Sequence, residues 1–151
     1  MTSPLAFWVG TWDVHDSATG ERAGWNEIVA ILDGHAVLER WRGVSGLEGT
    51  SLFWDDGASG TWRQVWATSV GWAKQKAMVE ADTQGSVRFE GVVTLPDGST
   101  VRDRTTLTPL ADGSVRQVIE VAPLDGDAWE VGFDAVYTRA LSPFRASDSG
   151  S

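Results

Sequence analysis

Tryptophans and a glutamine alternate in one short segment of the chain. Trp62, Gln64 and Trp66 occupy every second position, so they share one face of an extended strand. Indole offers a large flat surface with one N–H donor, and an amide buried among such rings must find hydrogen-bond partners. A carbonyl or hydroxyl group of a bound molecule can be such a partner. This face therefore predicts a ligand wall or, alternatively, packed core with a structural hydrogen bond from the glutamine.

A second glutamine repeats this pattern later in the chain. Gln117 lies between Val115 and Ile119 on a largely apolar face. Two glutamines in one interior could orient a ligand without adding charge, or bond to backbone and water. Tyr137 could donate a phenolic hydrogen bond into the same space, or pack as core with its hydroxyl at the rim.

The predicted strand 36–42 carries a glutamate and an arginine on opposite faces, and only one face can point into the interior. Glu39 alternates with Val37 and Trp41, while Arg40 lies on the opposite face. If Glu39 points inward, desolvation would raise its pKa and make it a candidate general acid or base. If the other face is inside, Arg40 could anchor a ligand carboxylate. The aromatic neighbour favours Glu39 inward, and Asp103 raises the same question with a weaker pattern.

These residues make up the expected site. Four of them are candidate catalytic residues only if the protein is an enzyme, and eight are candidate ligand-binding residues. The catalytic set is Glu39, Gln64, Gln117 and Tyr137, and the ligand-binding set is Trp41, Trp54, Trp62, Gln64, Trp66, Gln117, Trp129 and Phe133.

Short strands joined by tight turns must position these side chains. Turn signals recur at Thr19-Gly20, at Gln84-Gly85 and at five Asp-Gly pairs, a dipeptide that suits the positive φ angles of type I′ hairpins. The segments between them alternate with period two, as half-buried strands do. The ten predicted strands are 11–16, 25–32, 36–42, 50–54, 61–68, 72–81, 86–95, 100–107, 114–121 and 129–139.

An open sheet of ten antiparallel strands would leave two unpaired edges, and closing the sheet removes them. We therefore expect an all-β fold with a single antiparallel up-and-down barrel. A short helical turn within residues 3–9 would plug or flank one end. The barrel domain is expected to span residues 1–144, and residues 145–151 to form a disordered tail.

Composition excludes several classes of function. The net charge of −9 disfavours nucleic acid as a partner. There is no cysteine, and His15 and His35 alone do not make a metal site, so we expect neither metal nor cofactor. No segment is long and apolar enough to insert as a membrane helix. The N-terminus lacks the pattern of a signal peptide, and the absence of cysteine is compatible with the cytosol, so we expect a cytoplasmic protein. We expect it to be a monomer or a homodimer.

The chain resembles the calycin superfamily, which includes lipocalins and fatty-acid-binding proteins. Gly10 and Trp12 match the Gly-x-Trp start of those families, in which the tryptophan closes the base of the barrel. The chain is similar to bacterial lipocalin-like domains of no settled activity over about residues 5–140. This resemblance implies a cavity for a small hydrophobic ligand. The matching segments are 7–12, 34–41, 49–52, 61–66 and 133–139.

Three functions remain open at this point. The chain could carry or sequester a small, largely apolar molecule. It could be a cyclase or isomerase of natural-product biosynthesis that encloses a flexible polyene or polyketide, since such catalysis depends mainly on shape and orientation. It could also be an interaction module with a filled interior. Cavity volume separates the last from the first two, because ligand pockets begin at about 300 Å³.

Overall fold

A computed structural model describes residues 3–81 and 85–141 of the chain. Within them the fold is all-β, with ten strands and two short 3-10 helices, Ala6–Trp8 and Leu32–Gly34. The strands are β1 Gly10–Asp16, β2 Arg22–Ile31, β3 Ala36–Gly43, β4 Glu48–Asp56, β5 Thr61–Thr68, β6 Ala73–Val79, β7 Val87–Thr94, β8 Thr100–Pro109, β9 Val115–Ala122 and β10 Glu130–Arg139.

Each strand pairs antiparallel with its sequence neighbours, and β1 pairs with β10 to close the barrel. The closing register places Trp12 opposite Arg139 and Asp16 opposite Ala135. The predicted up-and-down barrel of ten strands is confirmed, and it is consistent with a calycin-like fold. The barrel domain is described from residue 3 to residue 141, and the predicted tail at 145–151 lies outside the described residues.

The first 3-10 helix closes one end of the barrel, as the sequence predicted. Its Trp8 and the preceding Leu5 are fully buried. The Trp12 indole N–H donates to the Trp8 carbonyl oxygen at 2.8 Å. The Trp8 ring packs edge-on against Phe53, with centroids 5.6 Å apart. Aromatic burial of this kind contributes strongly to stability, so this closed end is the apolar core of the protein.

Some of the hairpin turns differ in type from the expectation. A type I′ turn needs positive φ at both central residues, yet at Asp97-Gly98 and Asp112-Gly113 only the glycine has it, with φ of 87° and 89°. The aspartate side chain instead accepts hydrogen bonds from the following serine, as Asp97 Oδ1 does from the Ser99 backbone N–H at 2.9 Å. At these two turns the aspartate bonds locally rather than adopting positive φ. At Asp33-Gly34, in contrast, both residues have the expected positive φ, of 56° and 85°.

Candidate functional site

A cavity of about 290 Å³ occupies the half of the barrel opposite the 3-10 helix plug. It opens at the end where β3 passes into β4, and its floor lies near the middle of the barrel. This volume is at the lower limit of the ~300–1,000 Å³ that ligand pockets usually have. The lining residues are Ala23, Glu39, Trp41, Gly43, Ser45, Leu47, Gln64, Trp66, Lys74, Lys76, Thr105, Gln117, Ile119, Phe133 and Tyr137.

Aromatic rings form the walls near the open end. Trp41 and Phe133 meet edge-on with ring centroids 6.1 Å apart. Each indole lies over a glycine of a neighbouring strand: a Cβ on Gly24 would come within 2.6 Å of Trp41 Cη2, and one on Gly49 within 2.1 Å of Trp66 Cη2. The two glycines are therefore required for space, because any larger residue would displace the rings that wall the cavity.

The alternating face of β5 points into the barrel. Gln64 and Trp66 line the cavity, whereas Trp62 lies deeper and packs against the apolar core. Gln64 is 7% exposed, and its Nε2 donates to Ser51 Oγ at 3.1 Å. Among the described residues no group bonds to its Oε1. A buried amide oxygen without a partner is costly, so a ligand donor at this point would stabilise the site.

The structure resolves which face of β3 is inside. Glu39 is buried and lines the cavity, while Arg40 lies on the outer face near Glu27, 3.4 Å from Nη1 to Oε1. Asn26 Nδ2 donates to Glu39 Oε2 at 3.1 Å. Burial raises the pKa of Glu39, and the hydrogen bonds from Ser51 and Asn26 only partly oppose this shift. Glu39 is therefore an interior carboxyl that holds its proton above its ordinary range.

Gln117 and Tyr137 form the opposite side of the cavity floor. Gln117 Nε2 donates to Tyr137 Oη at 2.5 Å, and the tyrosine ring packs against Trp12 and Trp8 of the closed end. Burial raises the pKa of Tyr137 well above its ordinary value, and the nearby Glu39 acts in the same direction. The phenol therefore stays protonated, and its hydrogen remains able to donate into the cavity.

Two lysines of β6 complete the floor, although they are not among the site residues predicted from the sequence. Lys76 Nζ donates to Asp103 Oδ1 at 2.8 Å and to Thr105 Oγ1 at 2.5 Å. Lys74 Nζ donates to the second oxygen of the same carboxylate, Asp103 Oδ2, at 2.7 Å. Asp103, which the sequence only weakly indicated, is 2% exposed. One buried carboxylate therefore forms ion pairs with two lysine side chains.

Burial and charge act on Lys76 and on Asp103 in different ways. Burial lowers the pKa of Lys76 to about 8, and the charge of Lys74 adds to this effect, while Asp103 opposes it. Burial by itself would raise the pKa of Asp103, but the charges of the two lysines outweigh it and hold that pKa below its ordinary value. One carboxylate is therefore shared between two amines, of which Lys76 gives up its proton more readily than an ordinary lysine.

A signal for these lysines is present in the sequence. Lys74 and Lys76 are the only lysines among the 151 residues, and their i, i+2 spacing places them on one face of a strand. The β5–β6 hairpin pairs Gln64 with Lys76 and Trp66 with Lys74. Since cross-strand partners share a face, an inward face on β5 requires that both lysines point inward.

Three of the eight predicted ligand-binding residues do not line the cavity. Trp62 packs against the core, and Trp54 and Trp129 lie on the outside of the barrel. Trp54 follows the inward Phe53 on β4 and pairs with Arg63 on the outer surface. Trp129 stacks under the guanidinium of Arg104, 3.9 Å from its carbon to the ring centroid, also outside.

The reason for the position of Trp129 is a β-bulge. The pairing of β10 with β9 shifts register between Val131 and Phe133. A bulge inserts one unpaired residue and so reverses the alternation of faces beyond it. Phe133 therefore lines the cavity, whereas Val131 is 59% exposed and Trp129 follows it to the outside. An unbroken alternation of faces would place Trp129, Val131 and Phe133 on the same face of β10, as the sequence pattern predicted.

The described part of the chain contains no group of three or more His, Cys, Asp or Glu residues arranged to hold a metal ion. None of its helices has the length and apolarity to cross a membrane. No known protein family and no curated protein matches the sequence.

Proposed function

We propose that this protein binds a small, largely apolar molecule with one polar group in the barrel cavity. The observation that carries the proposal is the pairing of an aromatic wall with a polar floor whose Gln64 oxygen has no partner among the described residues. Ligand sites in proteins combine apolar walls with a few placed polar groups in this way. The resemblance to lipocalin-like domains supports the same function.

The volume limits the size of the ligand. A cavity of about 290 Å³ equals the space of about ten water molecules at ~30 Å³ each. At the density of protein interiors, this accommodates about 10–15 non-hydrogen atoms. One or two flat rings satisfy this limit, whereas a long polyene or polyketide chain exceeds it. The closed end offers no further room, because Trp8, Trp12 and Phe53 are buried there.

The arrangement also orients the ligand. Its apolar body would lie against Trp41, Trp66 and Phe133, near the open end. Its polar group would point toward the floor, where Gln64 Oε1 can accept a hydrogen bond and Tyr137 can donate one. A hydrogen bond from the ligand contributes most to the binding free energy at the floor, because the polar atoms there are already desolvated.

Catalysis is the second candidate function, and one observation favours it. Glu39 and Lys76 line the same cavity, and burial shifts the pKa of each toward neutrality, upward for Glu39 and down to about 8 for Lys76. Groups that hold or release protons near neutral pH are suited to general acid–base work. An isomerase acting on a small ligand fits these groups better than a cyclase of long chains.

Calorimetric titration with 2-naphthalenemethanol, a flat aromatic alcohol within the size limit, tests the binding proposal. Replacing Trp66 by alanine removes a cavity wall, and we expect affinity to fall by at least about tenfold. Trp129→Ala is the matched control, since this indole lies outside the cavity and its removal should leave the affinity within about twofold. Absence of saturable binding, or equal loss in both variants, would refute the proposal.

Turnover separates carrier from enzyme. If the chain is an enzyme, candidate small substrates should lose conversion in Gln64→Ala and in Glu39→Ala. Conversion that persists in both variants contradicts the roles given to these two residues.

A further inference from the structure

The distribution of basic residues in this chain is uneven. It has twelve basic side chains, of which ten are arginines and two are lysines, Lys74 and Lys76. Both lysines line the cavity, whereas described arginines such as Arg104 and Arg116 form ion pairs on the outer surface. Arginine cannot lose its proton in a protein, but lysine can do so when it is buried. The only side chains that can become neutral amines therefore lie inside the barrel.

The surroundings of Lys76 hold its nitrogen in a defined position. Nζ has three donor positions, and the described residues occupy two of them, through Asp103 and Thr105. A neutral amine can keep both bonds with its two hydrogens, and its lone pair then takes the third position. Gly91 of the neighbouring β7 lets the two strands approach closely here, because a Cβ there would lie 2.5 Å from the Gln75 backbone oxygen and 3.1 Å from Lys76 Cγ.

Burial and the charge of Lys74 favour loss of a proton from Lys76, while Asp103 and Glu39 oppose it. Lys74 on the same strand repels a second positive charge, and the two ammonium groups share the single carboxylate of Asp103 on β8. Glu39 on β3 is the other titratable group that influences Lys76. The inward residues of β5 and β7, Gln64 and Phe89 among them, carry no charge. A desolvated lysine beside a second cation is an activated nucleophile.

We propose, on the basis of the binding function above, that Lys76 forms an imine with an aldehyde or ketone group of the ligand. The ligand class is then a small aromatic or otherwise flat carbonyl compound. Its ring lies against the tryptophans of the open end, and its carbonyl carbon reaches Lys76 on the floor.

The step balances without a further reactant. The amine lone pair attacks the carbonyl carbon, so the N–C bond forms and the carbonyl oxygen becomes a hydroxyl group. That hydroxyl takes a proton and leaves as water, which breaks the C–O bond. Of the three hydrogens of the ammonium group, one stays on nitrogen and two leave with the water. The iminium product keeps one positive charge, and Asp103 pairs with it as it did with the ammonium group.

Glu39 and Tyr137 are the groups suited to move these protons. Both line the cavity, and burial keeps both protonated beyond their ordinary ranges by raising the pKa of each. The Glu39 carboxyl can donate its proton to the departing hydroxyl. The carboxylate so formed then recovers a proton that Lys76 itself gives up, because the Lys76 nitrogen loses two of its three hydrogens in the step.

Reductive trapping tests the proposal. The folded protein is incubated with 2-naphthaldehyde and sodium cyanoborohydride, and the adduct is located by peptide mass spectrometry. Lys76→Arg and Lys74→Arg form a matched pair, because each keeps the charge and leaves one lysine. We expect the adduct on Lys76 in the wild type and in Lys74→Arg, and labelling slower by at least about tenfold in Lys76→Arg. In the wild type the labelling rate should rise with pH to a midpoint near 8.

The outcomes separate this proposal from the binding function. The lysine proposal is overturned if the folded wild type forms no adduct, or if Lys74 and Lys76 are labelled equally. It is also overturned if the folded protein is labelled no faster than the urea-unfolded chain. If 2-naphthalenemethanol still binds in that case, the binding function stands alone. If the alcohol fails to bind but Lys76 is labelled selectively, the lysine proposal stands and the non-covalent binding function is wrong. Near-ultraviolet circular dichroism confirms that both arginine variants are folded.

Discussion

Replacing Lys76 by methionine should change how the stability of this protein depends on pH. The unfolded chain holds the lysine proton up to its ordinary pKa of 10.5, whereas burial lowers the pKa in the folded protein to about 8. Between these values the folded state has lost the proton and the unfolded state still binds it. Unfolding therefore takes up a proton, so the free energy of unfolding rises with pH in this window.

The size of the effect follows from the two pKa values. Their difference corresponds to about 3 kcal/mol, at ~1.4 kcal/mol for each pH unit. From pH 8 to pH 10 the wild type should gain about 2 kcal/mol relative to Lys76→Met, which has no titrating group at this position. No reduction for solvent screening applies, because Lys76 is only 3% exposed. Methionine keeps the length and the apolar packing of the stem.

Urea unfolding of both proteins at pH 7, 8, 9 and 10 measures this difference. Other groups that titrate in the range, Tyr137 among them, are present in both proteins and largely cancel. The same pair in the Glu39→Gln background removes the other interior carboxyl that influences Lys76. A wild-type-minus-variant difference that stays constant within about 0.5 kcal/mol from pH 8 to pH 10 would refute the reasoning.

Two further predictions concern the cavity. Gly49→Ala should lower the free energy of unfolding in urea by about 1–3 kcal/mol, because its Cβ would lie 2.1 Å from the Trp66 ring. Gly57→Ala is the control: a Cβ there meets nothing within 4 Å, so its free energy of unfolding should stay within about 0.5 kcal/mol of the wild type. Burial raises the pKa of Glu39 in the folded protein above its ordinary value of 4.5, so the folded state binds this proton more tightly than the unfolded state does. The stability gained from the bound proton is complete below pH 4.5 and is lost as the pH rises through the folded-state pKa. Glu39→Gln should therefore gain stability relative to the wild type as pH rises from about 4.5, measured by thermal unfolding.

Each prediction has a clear contrary result. Equal costs at Gly49 and Gly57 would mean that the indole of Trp66 moves aside freely and does not form a fixed wall. A Glu39→Gln variant that tracks the wild type at every pH would mean that the carboxyl ionises as readily in the folded chain as in the unfolded one.

Much of the fold could be predicted from local pattern. Ten alternating segments separated by turn residues predict ten strands, and the edges of such a sheet predict closure. Placement on a face follows directly where alternation is unbroken, as for Gln64 on β5 and Gln117 on β9. It fails for Trp129, because the bulge between Val131 and Phe133 changes the face without any break in the apolar pattern.

The candidate site was only partly predictable for a related reason. Alternation places Glu39 on the same face as Trp41, but both faces of β3 carry plausible interior residues, and only packing decides between them. Which rings line a cavity and which fill the core is likewise a matter of depth in the barrel. Trp62 and Trp66 share one face of β5, yet the first packs into the core and the second walls the cavity.

The sequence by itself determined the strands, the turns and which side chains alternate with the apolar ones, because these depend on neighbours within a few residues. Only the tertiary structure brought Lys74 and Lys76 of β6 onto Asp103 of β8, residues nearly thirty positions apart. The pKa of Lys76 is lowered by burial and by the charge of Lys74, and the pKa of Asp103 is lowered by the two lysines. Neither the burial nor the cluster exists until the barrel closes. The chemistry of the cavity floor is therefore a property of the fold, although its two lysines are already the only ones in the sequence.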